Sequence, residues 1–174
     1  MPELSRRVQT FTDSVIRRMT RINNMTPGSI NLSQGFPDFD PPQEILDALK
    51  EAAEHGPHQY SITFGAKNFR DALAEMYTKK FAREIDPEKE IVVTCGGSEA
   101  MMAAMMTVCN PGDKVAVFSP FYENYGADAI LSGADPVYVP LVPPDFHYDS
   151  EALERAFQAG AKALILCNPS NPCG

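Results

Sequence analysis

The sequence predicts an α/β fold: a mostly parallel sheet with helices on both faces. Two observations carry this. From residue 91 onward, short apolar runs of strand length alternate with segments of helical period, which is the pattern of a parallel sheet covered on both sides. Loops rich in Gly, Pro and Asn follow several of those runs, where strands of open α/β sheets end and ligands bind.

The elements follow in order. Val8, Phe11, Val15, Met19 and Ile22 recur at spacings of three and four, which predicts an amphipathic helix that ends before MTPGS (25–29). INLSQGFPDFDPP (30–42) carries a Gly and three prolines and is expected to be extended or looped. Pro42 suits the first turn of a helix bearing Ile45, Leu46 and Leu49. After a loop at 55–68, a helix with Phe69, Leu73, Met76, Tyr77 and Phe81 on one face is expected. IVVT (91–94) reads as a short buried strand, and GGSEAMMAAMMTV as a glycine turn opening a helix, with Ser98 as its N-cap. KVAVFS (114–119) is a strand, 122–131 a helix and PVYVPL (136–141) a strand. Asp149 is a good N-cap for the next helix, and 163–167 forms the last strand within an apolar run from Ala161. The first 45 residues differ in texture and are expected to form an arm or part of a second lobe.

Composition narrows the function. The chain has 174 residues, 44% hydrophobic and 22% charged, which is globular, and its net charge of −8 argues against nucleic acid or an anionic membrane as main partner. Arg6, Arg7, Arg17, Arg18 and Arg21 read as a solvated helix face. No apolar run is long enough for a transmembrane helix, and the N-terminus does not resemble a signal peptide. Cys95, Cys109, Cys167 and Cys173 form no CxxC pair, so reduced, mostly buried thiols and a cytoplasmic setting are expected. His55 and His58 form an HxxH with no third ligand in view, better read as a solvated loop than a metal site. The methionines at 101, 102, 105 and 106 read as core filling, and Asp38 and Asp40 as turn residues.

Three stretches carry chemistry. VTCGGSEA (93–100) takes a strand through two glycines into a helix, which bares N–H groups suited to a phosphate. On this motif alone a plain strand-to-helix turn with Ser98 as N-cap is the slightly better reading, and the stretch is neither a P-loop nor GxGxxG. If the Glu99 amide contributes, its carboxylate must point away from the anion. SPFYENY (119–125) offers Phe121 or Tyr122 as a platform for a flat ring, against a core role for either. NPSNPCG (168–174) offers the Asn171 amide, against ordinary turn chemistry. Together they suit a flat, phosphorylated ring such as pyridoxal phosphate.

With INLSQGFPDFDPP and QYSITFGAKNFRDALA (59–74) added, five stretches in order resemble the N-terminal portion of class I/II, fold-type I, pyridoxal-phosphate-dependent aminotransferases. Phe69 stands where that family usually has Leu. The nearest subgroup resembles the kynurenine, glutamine, methionine and aspartate-type enzymes. The resemblance implies that residues 1–45 are an arm and small-lobe segment, and that 46–174 are part of the large cofactor-binding domain. It implies that Gly97, Ser98 and Glu99 hold the cofactor phosphate, Gly97 and Glu99 through backbone amides. Tyr122 would stack on the pyridine ring. Asn171 would bond its phenolic oxygen and help bind the substrate carboxylate, which the Gly35 backbone would also approach. Tyr60 would reach the phosphate of a neighbouring subunit, implying a homodimer with shared sites.

In the family, the Schiff-base Lys, the Asp at the pyridine nitrogen, a Tyr near the phenolic oxygen and the carboxylate-gripping Arg all lie beyond the final Asn-Pro-x-Gly motif. Lys67, Lys114 and Lys162 stand in other contexts. The chain is therefore expected to be a truncated portion, inactive alone, of an enzyme that moves an amino group between an amino acid and a 2-oxo acid. A cysteine-conjugate β-lyase, a decarboxylase or a racemase of the same fold would share these motifs. A noncatalytic phosphate- or nucleotide-binding module would share the Gly-Gly-Ser turn. Such a portion is also expected to expose apolar faces.

Overall fold

The computed structural model describes residues 3–10 and 13–174. Two compact units emerge, one of residues 1–15 and 95–174, the other of residues 16–94.

The first unit is built on a four-stranded sheet of order β3-β2-β1-β4, with β1 Lys114–Ser119, β2 Asp135–Val142, β3 His147–Tyr148 and β4 Ala161–Ile165. β1 pairs in parallel with both β2 and β4, and β3 folds back antiparallel on β2. The sheet is mostly parallel, as the alternating pattern predicts.

Side chains alternate across β1 and so define two cores. Val115 and Val117 pack with Met105, Cys109, Ala129, Ala134 and Ile165, beneath α4 (Gly96–Val108) and α5 (Asn124–Ser132). Ala116 packs on the other face with Val139 and Ala156, beneath α6 (Ser150–Gln158). Burying each of these β1 valines is worth roughly 1.5–3 kcal/mol. Asp149 caps α6 as expected, accepting from the Glu151 N–H at 3.0 Å. The pairing of β1 with β4 is interrupted once: Lys114 faces Ala161 but Val115 faces Ala163, so Lys162 is an extra residue.

The second unit holds α1 (Val15–Asn24) from Ile16 onward, then α2 (Gln43–His55) and α3 (Lys67–Phe81). Its tightest feature is Arg70, fully buried on α3. Its guanidinium donates to the carbonyls of Gly65 and Pro87 and pairs with Glu88 at 3.2 Å. Beside it, Gly65 has φ +103° and lies against Val93, so close that a Cβ would sit 2.6 Å from the valine side chain. Both facts demand glycine there.

Several expectations are corrected. Helix α1 begins at Val15; Val8 lies in a separate 3-10 turn (Arg6–Gln9), and Phe11 lies outside the described residues. The five N-terminal arginines are exposed. Pro42 is the N-cap of α2, one position before the first turn. The buried residues of α3 are Arg70 and Ala74, while Phe69, Met76 and Phe81 are about half exposed. Residues 91–94 are extended but are not a strand, and Val92 is exposed. A ladder-like bond runs from the Val93 N–H to the Phe64 carbonyl at 3.0 Å. A strand needs a run of such bonds, which an apolar tetrapeptide cannot supply by itself. β4 starts two residues earlier than expected and ends at Ile165, leaving Leu166 exposed. Only Cys109 of the four free cysteines is buried.

Apolar side chains do stand exposed, among them Leu32, Phe36, Phe39, Ile45 and Leu49 in the second unit and Met106 and Leu166 in the first.

Replacing Arg70 with Ala should cost about 3 kcal/mol or more, because two carbonyls and a carboxylate lose their partner. Glu88→Gln should cost less than about 1 kcal/mol, since its carboxylate is largely solvated. Urea denaturation of the two variants checks the order.

Candidate functional site at the carboxyl edge of the sheet

β1 and β4 both deliver loops at their carboxyl ends, and the start of α4 meets the first of them. The loop after β1 runs through Pro120 to Glu123 and enters α5 at Asn124. Of its two aromatic residues, Phe121 is committed to packing: its ring stacks on Tyr138, centroids 5.2 Å apart and planes 5° from parallel. Tyr122 takes no part in that stack and meets the Tyr125 ring edge-on at 5.7 Å. Glu123 accepts a hydrogen bond from the Ser14 hydroxyl, which ties the N-terminal arm to this loop.

At the start of α4 the N-cap is Cys95, not Ser98. The helix begins three residues earlier than expected because Gly96, at φ +80°, turns the chain directly into it. Gly97, Ser98 and Glu99 therefore all lie in the first turn; counting from Cys95, the N–H groups of Gly97 and Ser98 are among the four that lack helical partners, and Glu99 is one residue beyond them. A Cβ on Gly97 would meet no atom within 4 Å, so the space over this turn is open. The Glu99 carboxylate folds back to accept the Cys95 N–H, keeping a negative charge at the helix start. Asn124 Nδ2 donates to Ser98 Oγ at 3.2 Å, joining this turn to the loop after β1.

After β4 come Cys167 and the loop to Asn171. The Cys167 thiol is held below its ordinary range, first by a hydrogen bond with the Tyr125 hydroxyl and then by the Asn171 backbone N–H. Tyr125 is pushed up to about 12, chiefly by the same bond and then by burial. The thiol also reaches the Pro169 carbonyl at 3.4 Å. An open cavity of about 340 Å³ lies between these loops and the β2–β3 hairpin, lined by Phe121, Tyr125, Cys167, Asn171 and Phe146 among others.

Ser98, Tyr122 and Asn171 are thus linked by a continuous set of contacts: Ser98 to Asn124, Tyr122 to Tyr125, Tyr125 to Cys167, Cys167 to Asn171. Tyr60 and Gly35 belong to the second unit, where both are exposed. Sequence reasoning missed Asn124, Tyr125 and Cys167. Their signal was available: a polar residue and a second tyrosine just after the platform tyrosine, and a cysteine one residue before the Asn-Pro loop. It also missed the β2–β3 hairpin, whose turn contains Pro143, Pro144 and a left-handed Phe146.

Beneath this edge, Asp128 on α5 is buried, and its Oδ2 has no hydrogen-bond partner among the described residues. Loss of water raises its pKa.

The profile of the aminotransferase class I and II family matches residues 27–174, and the chain belongs to that family. Among characterised relatives it is 37% identical over 170 residues to the probable N-succinyldiaminopimelate aminotransferase DapC of Mycobacterium tuberculosis, spanning 97% of this chain and 43% of that protein. It is 33% identical over 181 residues to human kynurenine–oxoglutarate transaminase 3, spanning 98% of this chain and 40% of that one. Among solved structures, the M. tuberculosis N-succinyldiaminopimelate aminotransferase superposes with a TM-score of 0.88 at 35% identity, over 98% of this chain and 44% of its own. Thermus thermophilus aspartate aminotransferase with maleate superposes with a TM-score of 0.88 at 32% identity, over 99% and 46%. The chain therefore spans less than half the length of these relatives. These neighbours are fold-type I enzymes, and the family's cofactor is pyridoxal 5′-phosphate.

The residues present fit that group. The open first turn of α4 offers N–H donors and a hydroxyl for a phosphate, and its glycines leave room for close approach. Across the same edge stand a tyrosine ring and an Asn side chain.

Two measurements test the electrostatics. Alkylation of Cys167, followed by peptide mass spectrometry, should show a midpoint below the ordinary thiol value of about 8.5. Tyr125→Phe should move that midpoint upward. The second concerns Asp128, whose carboxyl is pushed above its unfolded value. Stability from that site is present below the unfolded pKa and is lost as pH rises through the folded one. Asp128→Asn should accordingly gain stability relative to wild type as pH rises from about 4 to about 7. A difference independent of pH would show that the carboxylate finds a partner.

Proposed function

We propose that this chain is the cofactor-holding portion of an aminotransferase that moves an amino group between an amino acid and a 2-oxo acid. The observation that supports it best is the linked set Ser98, Tyr122 and Asn171 at one sheet edge. In this reading residues 46–174 are part of the large domain and residues 1–45 are an arm and small-lobe segment. The protein is a cytoplasmic homodimer. Among the described residues no helix is long and apolar enough to cross a membrane.

The roles follow from the chemistry of each group. Gly97 and Glu99 donate backbone N–H groups to the phosphate, and Ser98 adds its hydroxyl. Glu99 turns its carboxylate onto the Cys95 N–H. Tyr122 gives the pyridine ring a flat apolar face. Asn171 donates to the phenolic oxygen and to the substrate carboxylate, which the Gly35 backbone also approaches. Tyr60 reaches the phosphate held by the neighbouring subunit. When bound, the cofactor supplies an electron sink for the carbon that loses its proton.

No lysine of this chain is assigned to the reaction. Lys114 and Lys162 stand at the beginnings of β1 and β4, the opposite edge of the sheet, where they bond Ala159 and Asp113. Lys67 pairs with Asp71 on α3.

Titration with pyridoxamine 5′-phosphate and with pyridoxamine, followed by fluorescence, separates the two halves of the site. Tyr122→Ala should weaken both ligands by roughly tenfold, a stacking-sized loss, and Tyr122→Phe should leave both nearly unchanged. Ser98→Ala should weaken only the phosphorylated ligand. Equal binding of the two ligands by the wild-type chain would overturn the phosphate assignment.

A further inference from the structure

We infer that Asn124 is a positioning residue for the phosphate: it turns the Ser98 hydroxyl into a committed proton donor. The inference rests on the cofactor reading above.

The argument starts from the hydroxyl. Ser98 Oγ has one proton and two lone pairs, and its proton can rotate toward any acceptor in reach. A serine in a helix commonly spends that proton on a carbonyl one turn earlier. At the third position of α4, the residue four back is Thr94, outside the helix. The partner found instead is Asn124, whose Nδ2 donates to Oγ at 3.2 Å. An amide N–H occupying one lone pair leaves the hydroxyl proton with nothing to do on that side. It directs that proton toward other acceptors, and the open space over Gly97 lies in the same turn.

Asn124 is itself well fixed. It is the first residue of α5, it follows the Glu123 carboxylate held by Ser14, and it stands two residues from Tyr122. One hydrogen bond thus joins the turn that would hold the phosphate to the loop that would hold the ring. The side-chain chemistry makes the direction of the bond decisive. A carboxylate at position 124 would accept the Ser98 proton rather than donate to its oxygen, and would add a negative charge beside the phosphate.

The test uses the full chain with pyridoxamine 5′-phosphate and pyridoxamine as probes, and melting temperature as a check on folding. Asn124→Ala should lose roughly three- to tenfold in affinity for the phosphorylated probe, the size of a partly lost charge-assisted hydrogen bond. It should lose nothing for pyridoxamine. Asn124→Asp, close in size, should lose more than Asn124→Ala. The double variant Ser98→Ala/Asn124→Ala should bind no more weakly than Ser98→Ala alone, because Asn124 acts through that hydroxyl. Unchanged affinity in Asn124→Ala, an equal loss on both probes, or losses that multiply in the double variant would each overturn the inference. If Ser98→Ala itself leaves the phosphorylated probe untouched, the phosphate assignment fails and this inference falls with it.

Discussion

The first unit depends on the burial of one strand from both sides. β1 carries Val115 and Val117 toward α4 and α5, and Ala116 toward α6. A strand so enclosed has no solvent face to which it could rotate. Its carboxyl end, and the Tyr122 loop that leaves it, are fixed by packing rather than by the loop's own bonds. The same cores hold α4 and β4 through Met105 and Ile165. The three stretches with chemical groups therefore inherit their relative placement from an apolar scaffold that takes no part in chemistry, and side-chain hydrogen bonds only refine it.

That division explains what the sequence made legible. Strand and helix periodicity is a statement about burial, so β1, β2 and the start of α6 could be read within a residue or two. The boundaries that failed are those where burial and hydrogen bonding part company. Residues 91–94 are apolar enough for a strand but do not form one, although the Val93 N–H bonds the Phe64 carbonyl. Leu166 extends an apolar run past the last paired residue. Arg70 was invisible to periodicity because its burial is satisfied by two carbonyls outside its helix, those of Gly65 and Pro87, which no apolar spacing announces. Ser98 was placed as an N-cap because a glycine pair looks like a turn, whereas Gly96 at positive φ already starts the helix.

The site was legible in its motif residues and not in what connects them. Gly97, Ser98, Tyr122 and Asn171 each belong to a recognisable stretch. Asn124, Tyr125 and Cys167 matter only because the fold places them between those stretches. A sequence shows which groups are present at strand ends; it does not show that a phenol and a thiol will share one proton-bearing contact across two loops. Asp128 is the sharpest case. Nothing in its neighbours distinguishes it from a solvated helix carboxylate, yet it is closed off from water.

The extra residue Lys162 is absorbed by a bulge rather than passed along β4. Ala161 lies opposite Lys114 and Ala163 opposite Val115, so each later residue shares the face of its β1 partner. Leu164 lies with Ala116 in the core under α6, and Ile165 lies with the valines under α4 and α5. Removing Lys162 would leave a regular ladder with both cores filled as before. What the insertion contributes is its own side chain, which reaches Asp113 at 2.9 Å. The direction of the last loop is thus set by the register against β1, and the strand takes up one residue of slack at the end away from that loop.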